Sequence, residues 1–190
     1  MLTIGILLFD EVEVLDACGP FEVFSTAARM GADLRVATVA REARPAVARG
    51  GLPIVPAHTL GDHPPLDVVL VPGGVTAAVE RDPAVLAWVA RVRERARITA
   101  AVCTGAFILA EAGVLDGRPA TTHWEDEDEL ERRWPAVEVR REPRWVDDGD
   151  LVTSAGITAG IDMSLHLVRR LFGADVAVRT ARQMEYDWRE

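Results

Sequence analysis

The sequence predicts an α/β fold, a three-layer sandwich of helices, a mostly parallel sheet and helices, from three observations. Residues 2–9, 66–71 and 98–102 are short and dominated by aliphatic side chains, as are strands buried on both faces of a parallel sheet. Segments with apolar residues at helical spacing, around residues 19–30, 83–96, 163–172 and 175–188, are interspersed with the strands. Small-residue corners (Pro72-Gly73-Gly74, Cys103-Thr104-Gly105 and the run from Ser154 to Asp162) follow strands directly, on the sheet edge where α/β proteins hold ligands. No repeat, low-complexity tract or linker interrupts the chain, so residues 1–190 read as one domain, long enough to bury a full core.

Residues 2–9 form the first strand. A loop then leads into a helix over about residues 19–30, with Pro20 near its start and Gly31 closing it. Asp16 falls in that loop, beyond the carboxyl end of the strand, either as a site acid or as a plain helix cap. Residues 33–40 form a second strand. Pro45, Gly50-Gly51, Pro53 and Pro56 break residues 41–60 into a small hairpin or edge element. His58 and His63 have no further ligand nearby at metal spacing, so no metal is expected.

The strand at 66–71 ends in Pro72-Gly73-Gly74, which is either half of an oxyanion-type hole or an ordinary tight turn. Asp82 caps and Pro83 opens the helix over 83–96. The strand at 98–102 runs into the Cys103 corner and a helix beginning at Ala106. Residues 118–122 read as a short strand ending at His123-Trp124. The acidic front and Arg-rich back of residues 125–133 suit a helix dipole, and the run reads as a solvated helix face. Residues 137–140, 144–146 and 151–154 read as strands, the last two forming a hairpin around Asp147-Asp148-Gly149-Asp150. Two amphipathic helices complete the chain.

Chemistry centres on Cys103. At a strand-to-helix corner a thiol faces unpaired backbone N–H groups and the positive end of the helix dipole, and both favour the nucleophilic thiolate. The competing reading is a buried core cysteine. Cys18 has no such setting and reads as a small packing residue at a dimer contact. The net charge is −9 and all 21 basic residues are Arg, which excludes a catalytic lysine or Schiff base. Without a basic cluster the chain is not expected to hold nucleic acid, and without an apolar run long enough to cross a bilayer it is not expected in a membrane. Two distant cysteines and no signal peptide point to the reducing cytoplasm.

Several segments taken together carry a family resemblance. They are Leu15-Asp16-Ala17-Cys18-Gly19-Pro20-Phe21-Glu22-Val23-Phe24, Val71-Pro72-Gly73-Gly74, Ala101-Val102-Cys103-Thr104-Gly105-Ala106, Ala120-Thr121-Thr122-His123-Trp124 and Gly156-Ile157-Thr158-Ala159-Gly160-Ile161-Asp162. With these the whole chain resembles the ThiJ/PfpI superfamily, which has a class I glutamine-amidotransferase-like, flavodoxin-type fold with a nucleophile elbow. Within it the pattern looks most like the isonitrile (isocyanide) hydratases and the sensing domain of AraC-type regulators. Those regulators carry a further helix-turn-helix region, for which a chain ending at Glu190 leaves no room. Many members have a His directly after the nucleophile; Thr104 stands there, which argues against a Cys–His peptidase dyad. Glyoxalase and chaperone relatives use a Glu after the first strand, whereas Asp16 follows the hydratase pattern.

The resemblance implies a lyase that takes a small-molecule electrophile and needs no cofactor. Cys103 would add to an isocyanide to give a thioimidate, and Asp16 would move protons and activate the water that releases an N-substituted formamide. It implies Thr104 and Gly74 as N–H donors, with Gly73, His123, Gly156 and Ile157 around the substrate and His123 either supporting or merely structural. It also implies a homodimer. The alternatives are a non-catalytic small-molecule or redox sensor, or a stress-protective thiol enzyme of glyoxalase or deglycase type.

Overall fold

The structure is a computed structural model and describes residues 1–188. Seven strands form one sheet: β1 (Leu2–Leu8), β2 (Leu34–Ala40), β3 (His58–Thr59), β4 (Val68–Val71), β5 (Ile98–Val102), β6 (Trp145–Asp148) and β7 (Leu151–Ser154). Their spatial order is β6-β7-β5-β4-β1-β2-β3, and every neighbouring pair is parallel except the β6–β7 hairpin. The helices are α1 (Val14–Arg29), α2 (Pro83–Arg93), α3 (Gly105–Glu111), α4 (Glu127–Arg133), α5 (Ala159–Phe172) and α6 (Ala174–Gln183). Helices α1, α5 and α6 pack together as one layer, while α2 and α3 pack against each other in the other.

The central strands are aliphatic because both their faces are covered. Ile4, Ile6, Leu7 and Leu8 of β1, all of β4 and all of β5 are buried. Each fully buried Ile or Leu contributes roughly 1.5–3 kcal/mol of transfer free energy. From β1 the chain turns to β2 on one side, then returns to β4 on the other. The loops after β1 and β4 therefore leave in opposite directions, and a crevice opens between their carboxyl ends.

Several boundaries differ from the sequence expectation. Helix α1 begins at Val14, so Asp16 is not in a preceding loop but in the first helical turn. Pro20 is inside the helix, with no N–H to give the carbonyl of Asp16 four residues back, a missing donor that in sequence marks a helix start rather than an interior position. Residues 41–60 divide into an antiparallel pair, Ala46–Val47 with Pro53–Ile54, and the edge strand β3. The stretch at 118–122 contributes only Pro119–Ala120, paired in parallel with Glu138–Val139. Helix α2 starts as expected, with Asp82 accepting the Ala84 N–H at 2.9 Å, but ends at Arg93. Helix α5 starts at Ala159, four residues before the expected position, and α6 stops at Gln183. Among the described residues, no helix is long and apolar enough to cross a membrane.

Candidate functional site

The corner between β5 and α3 puts Cys103 at φ 56°, a left-handed backbone that costs a residue with a Cβ on the order of 1–3 kcal/mol. Three hydrogen bonds hold it there. Its N–H donates to Ser154 O at 3.1 Å, and its carbonyl accepts from Thr122 Oγ1 at 2.8 Å and from the Ala106 N–H at 3.2 Å. Gly105 is required next to it, because a Cβ there would stand 2.1 Å from Val71 O. The sulfur sits in the floor of a cavity of about 390 Å³ lined by Glu13, Arg49, Gly74, Thr104 and Ile157, with His123, Glu125 and Asp126.

Asp16 is 0% exposed and reaches the same point from α1. Its Oδ2 accepts the Gly73 N–H at 3.1 Å, while Oδ1 has no hydrogen-bond partner. Burial, and then the Glu13 carboxylate, push Asp16 up to about 7, against the pull of the Gly73 N–H, the Cys103 thiol and the Ile157 N–H. The Cys103 thiol is pushed up to about 12, first by burial and then by Asp16, although the Thr104 N–H and hydroxyl draw it down. This corrects the expectation of a thiolate: the donors at the helix start are outweighed, and the resting group is the neutral thiol. The two groups titrate as a pair, with the carboxyl ionising first.

The glycine turn does not offer the free donors expected of it. The Gly73 N–H is taken by Asp16, and the Gly74 N–H donates to Thr104 Oγ1 at 2.9 Å, whose hydroxyl donates in turn to Gly74 O at 3.0 Å. The turn is a bracket for the carboxyl and the hydroxyl. A Cβ on Gly73 would fall 2.6 Å from Thr104 Oγ1 and 2.9 Å from Asp16 Oδ2. Besides the Gly73 N–H, the Ile157 N–H acts on the Asp16 carboxyl and the Thr104 N–H on the Cys103 thiol. Ile157 adopts φ 53° at the corner before α5. Gly156 leaves room for the His123 ring, since a Cβ there would stand 2.1 Å from its Cδ2.

His123 lines the cavity, and its Nδ1 accepts the Glu125 N–H at 3.3 Å. Asp126 Oδ2 lies 3.5 Å from that nitrogen. Glu125 and Asp126 therefore border the site, although the charge run beginning with them reads in sequence as a solvated helix face. Glu13 and Arg49 are the other residues the sequence left out. They form a rim pair at 3.3 Å, and only the Gly50-Gly51 turn beside Arg49 hinted at it. Away from the site, the half-buried His63 is held within the protein: Nε2 accepts the Trp88 indole N–H at 2.8 Å and Nδ1 lies 2.8 Å from Pro64 O. Cys18 is exposed, with its thiol raised by partial burial.

The model of one protein family matches residues 3–170, which include the cysteine elbow, the first-helix acid and the glycine turn. The chain belongs to the DJ-1/PfpI family. An isonitrile hydratase of Pseudomonas putida is 39% identical over 186 residues, 97% of this chain and 78% of that protein. The transcriptional regulator CdhR of Pseudomonas aeruginosa is 32% identical over 178 residues, 93% of this chain but 53% of the regulator. Among solved structures, a ThiJ/PfpI family protein from Pseudomonas syringae superposes with a TM-score of 0.90 at 34% identity, covering 100% of this chain and 76% of that one. Drosophila melanogaster DJ-1beta, at TM-score 0.86 and 20% identity over 98% of this chain and 99% of its own, shares the fold. The DJ-1/PfpI fold is thus the frame on which the Cys103–Asp16 pair is mounted.

Proposed function

We propose that the chain is a cysteine-dependent hydratase that converts an isocyanide to an N-substituted formamide. The observation carrying this reading is the Asp16 carboxyl, buried beside the Cys103 thiol with one oxygen unpartnered. The likeness to an isonitrile hydratase over nearly the whole chain supports the substrate class. Near neutral pH a carboxyl at about 7 is partly protonated and able to act as an acid.

Asp16 gives its proton to the isocyanide carbon, and sulfur forms a bond to the same carbon while the thiol proton passes to the carboxylate. The product is the thioimidate, R–N=CH–S–Cys103, with Asp16 again protonated. Asp16 then gives its proton to the imidate nitrogen and takes one from water as the water oxygen bonds to carbon. Collapse of that adduct breaks the C–S bond, returns a proton to sulfur and releases R–NH–CHO. The sum is isocyanide plus water to formamide, with no electron transfer and no cofactor. Thr104 and Ile157 present N–H groups to the sulfur and carboxyl, and Gly73 fixes the carboxyl's direction. Positioned acid–base help of this kind contributes roughly a hundredfold to ten-thousandfold in rate.

The test is formamide formation from a panel of isocyanides by the wild type, Cys103→Ala and Asp16→Asn. Wild-type turnover that both substitutions abolish supports the reading; turnover that persists in Cys103→Ala overturns it. The regulator relative over 93% of the chain favours a second reading, a sensor that binds a small molecule without turnover. Saturable ligand binding with no formamide would select it. A cytoplasmic homodimer is part of the proposal, and light scattering after size exclusion tests the dimer.

A further inference from the structure

The cavity above Cys103 has a charge pattern that the hydration steps do not use. Arg49 on one wall is tied to Glu13 at 3.3 Å, so that wall is close to neutral. The cavity is also lined by Glu125 and Asp126, and among the described residues neither has an arginine within ion-pair distance. Their near neighbour is the His123 imidazole, 3.5 Å from Asp126 and 3.9 Å from Glu125. With Nδ1 accepting the Glu125 N–H, that ring has no proton on this side to offer them. The Asp126 carboxylate is close enough to raise the thiol, so its field reaches the reacting atom. Beneath both lies the buried Asp16 carboxyl with its unpartnered oxygen. A ligand at Cys103 thus faces net negative charge from Glu125 and Asp126, with the half-buried Asp126 the less screened by solvent and salt of the two.

We propose that Glu125 and Asp126 make this cavity selective for uncharged or cationic electrophiles and exclude those carrying a carboxylate or sulfonate. The proposal deepens the hydratase reading, since it narrows the isocyanides to those with neutral or positively charged side groups. The same field favours the positive charge that develops on an isocyanide as its carbon is protonated, so that one wall serves both entry and reaction. Charge selection at the sulfur does not itself depend on turnover.

Two experiments separate the claims. In the first, Cys103 is labelled in a Cys18→Ser background with methanethiosulfonates bearing 2-hydroxyethyl, 2-trimethylammonioethyl or 2-sulfonatoethyl groups. In each case the thiolate displaces methanesulfinate to form a mixed disulfide, and rates are divided by those of a free thiol. The expected result is at least a tenfold lower relative rate for the sulfonate reagent, shrinking in high salt and shrinking again in Asp126→Asn and Glu125→Gln. Equal relative rates for the three reagents in the wild type overturn the proposal, as does discrimination that is unchanged both in high salt and in each variant. The salt series needs only the wild-type cavity, so a variant that fails to fold leaves the test intact.

In the second experiment, kcat/KM is compared for alkyl isocyanides ending in methyl, ammonium or carboxylate. Turnover that disfavours the carboxylate by tenfold or more supports both claims. Turnover without discrimination overturns the charge selection and leaves the hydratase reading standing. No turnover beside charge-selective labelling does the reverse.

Discussion

At Cys103, burial and the neighbouring carboxyl push the thiol up to about 12 while Asp16 sits at about 7, and this order fixes the pH response of any chemistry the pair performs. If the protonated carboxyl is the acid that starts the reaction, kcat/KM is flat below about pH 7 and falls tenfold per unit above it, as the acid is lost. A mechanism starting from a free thiolate would give the opposite limb, rising with pH toward the thiol's own ionisation. A pH–rate profile of formamide release therefore distinguishes them. The bracket under the pair makes a second expectation. Gly73→Ala places a methyl 2.6 Å from Thr104 Oγ1 and 2.9 Å from Asp16 Oδ2. Overpacking of this kind costs about 1–3 kcal/mol. The activity loss should exceed tenfold, because the displaced groups are the reacting carboxyl and its neighbour. Urea midpoint and kcat measured side by side check the two effects.

Helix α4 shows how an element outside the sheet is held over the site. Arg133 at its end pairs with the buried Glu80 at 2.5 Å and lies 4.0 Å above the Trp134 ring, while Glu80 also accepts from Thr76 Oγ1 at 2.5 Å. The helix directly follows the cavity residues His123, Glu125 and Asp126, so the latch anchors that wall. Breaking a fully buried pair costs about 3–5 kcal/mol. With Arg133 about one-third exposed, Glu80→Ala should cost less, about 2–3 kcal/mol by urea denaturation. A spacing rule reads none of this, since Glu80 and Arg133 are 53 residues apart. The elements that sequence did make legible were those with a local cause: β5, β7, the Asp82 cap and the hairpin around Gly149, whose φ of 79° suits glycine. The α1 start was misplaced because Pro20 is a strong local signal that tertiary packing overrode. The Cys103–Asp16 pairing was legible through strand-end placement. Arg49, Glu13 and Asp126 were not, because only the folded loops bring them together.

Over the whole molecule the carboxylates divide into two groups whose effects on stability have opposite sign. Arg44 and the Val47 N–H hold Asp10 below its ordinary value, and Arg118 does the same for Asp150. Asp147, paired with His166 and Arg170, is likewise lowered despite partial burial. Such groups stabilise the fold once ionised, and that contribution is lost as pH falls through their folded values, giving an acid limb. Asp16 works the other way. Between its unfolded value of 3.8 and its folded value of about 7, the folded chain keeps a proton that the unfolded chain has released, so stability declines as pH rises through this window. About three units correspond to roughly 4 kcal/mol at most, fully lost above pH 7. The maximum should therefore lie on the acid side of neutrality, where the lowered carboxylates are ionised and Asp16 is still largely protonated. Asp16→Asn keeps an acceptor for the Gly73 N–H and removes the buried charge. It should leave stability near pH 4 almost unchanged, raise it progressively to pH 7 and hold the gain beyond, while abolishing turnover. Thermal melts of both proteins from pH 4 to pH 9 measure the difference. A constant offset across that range would show that the carboxyl ionises in the fold as readily as in the unfolded chain, and the reacting pair would then lack its acid.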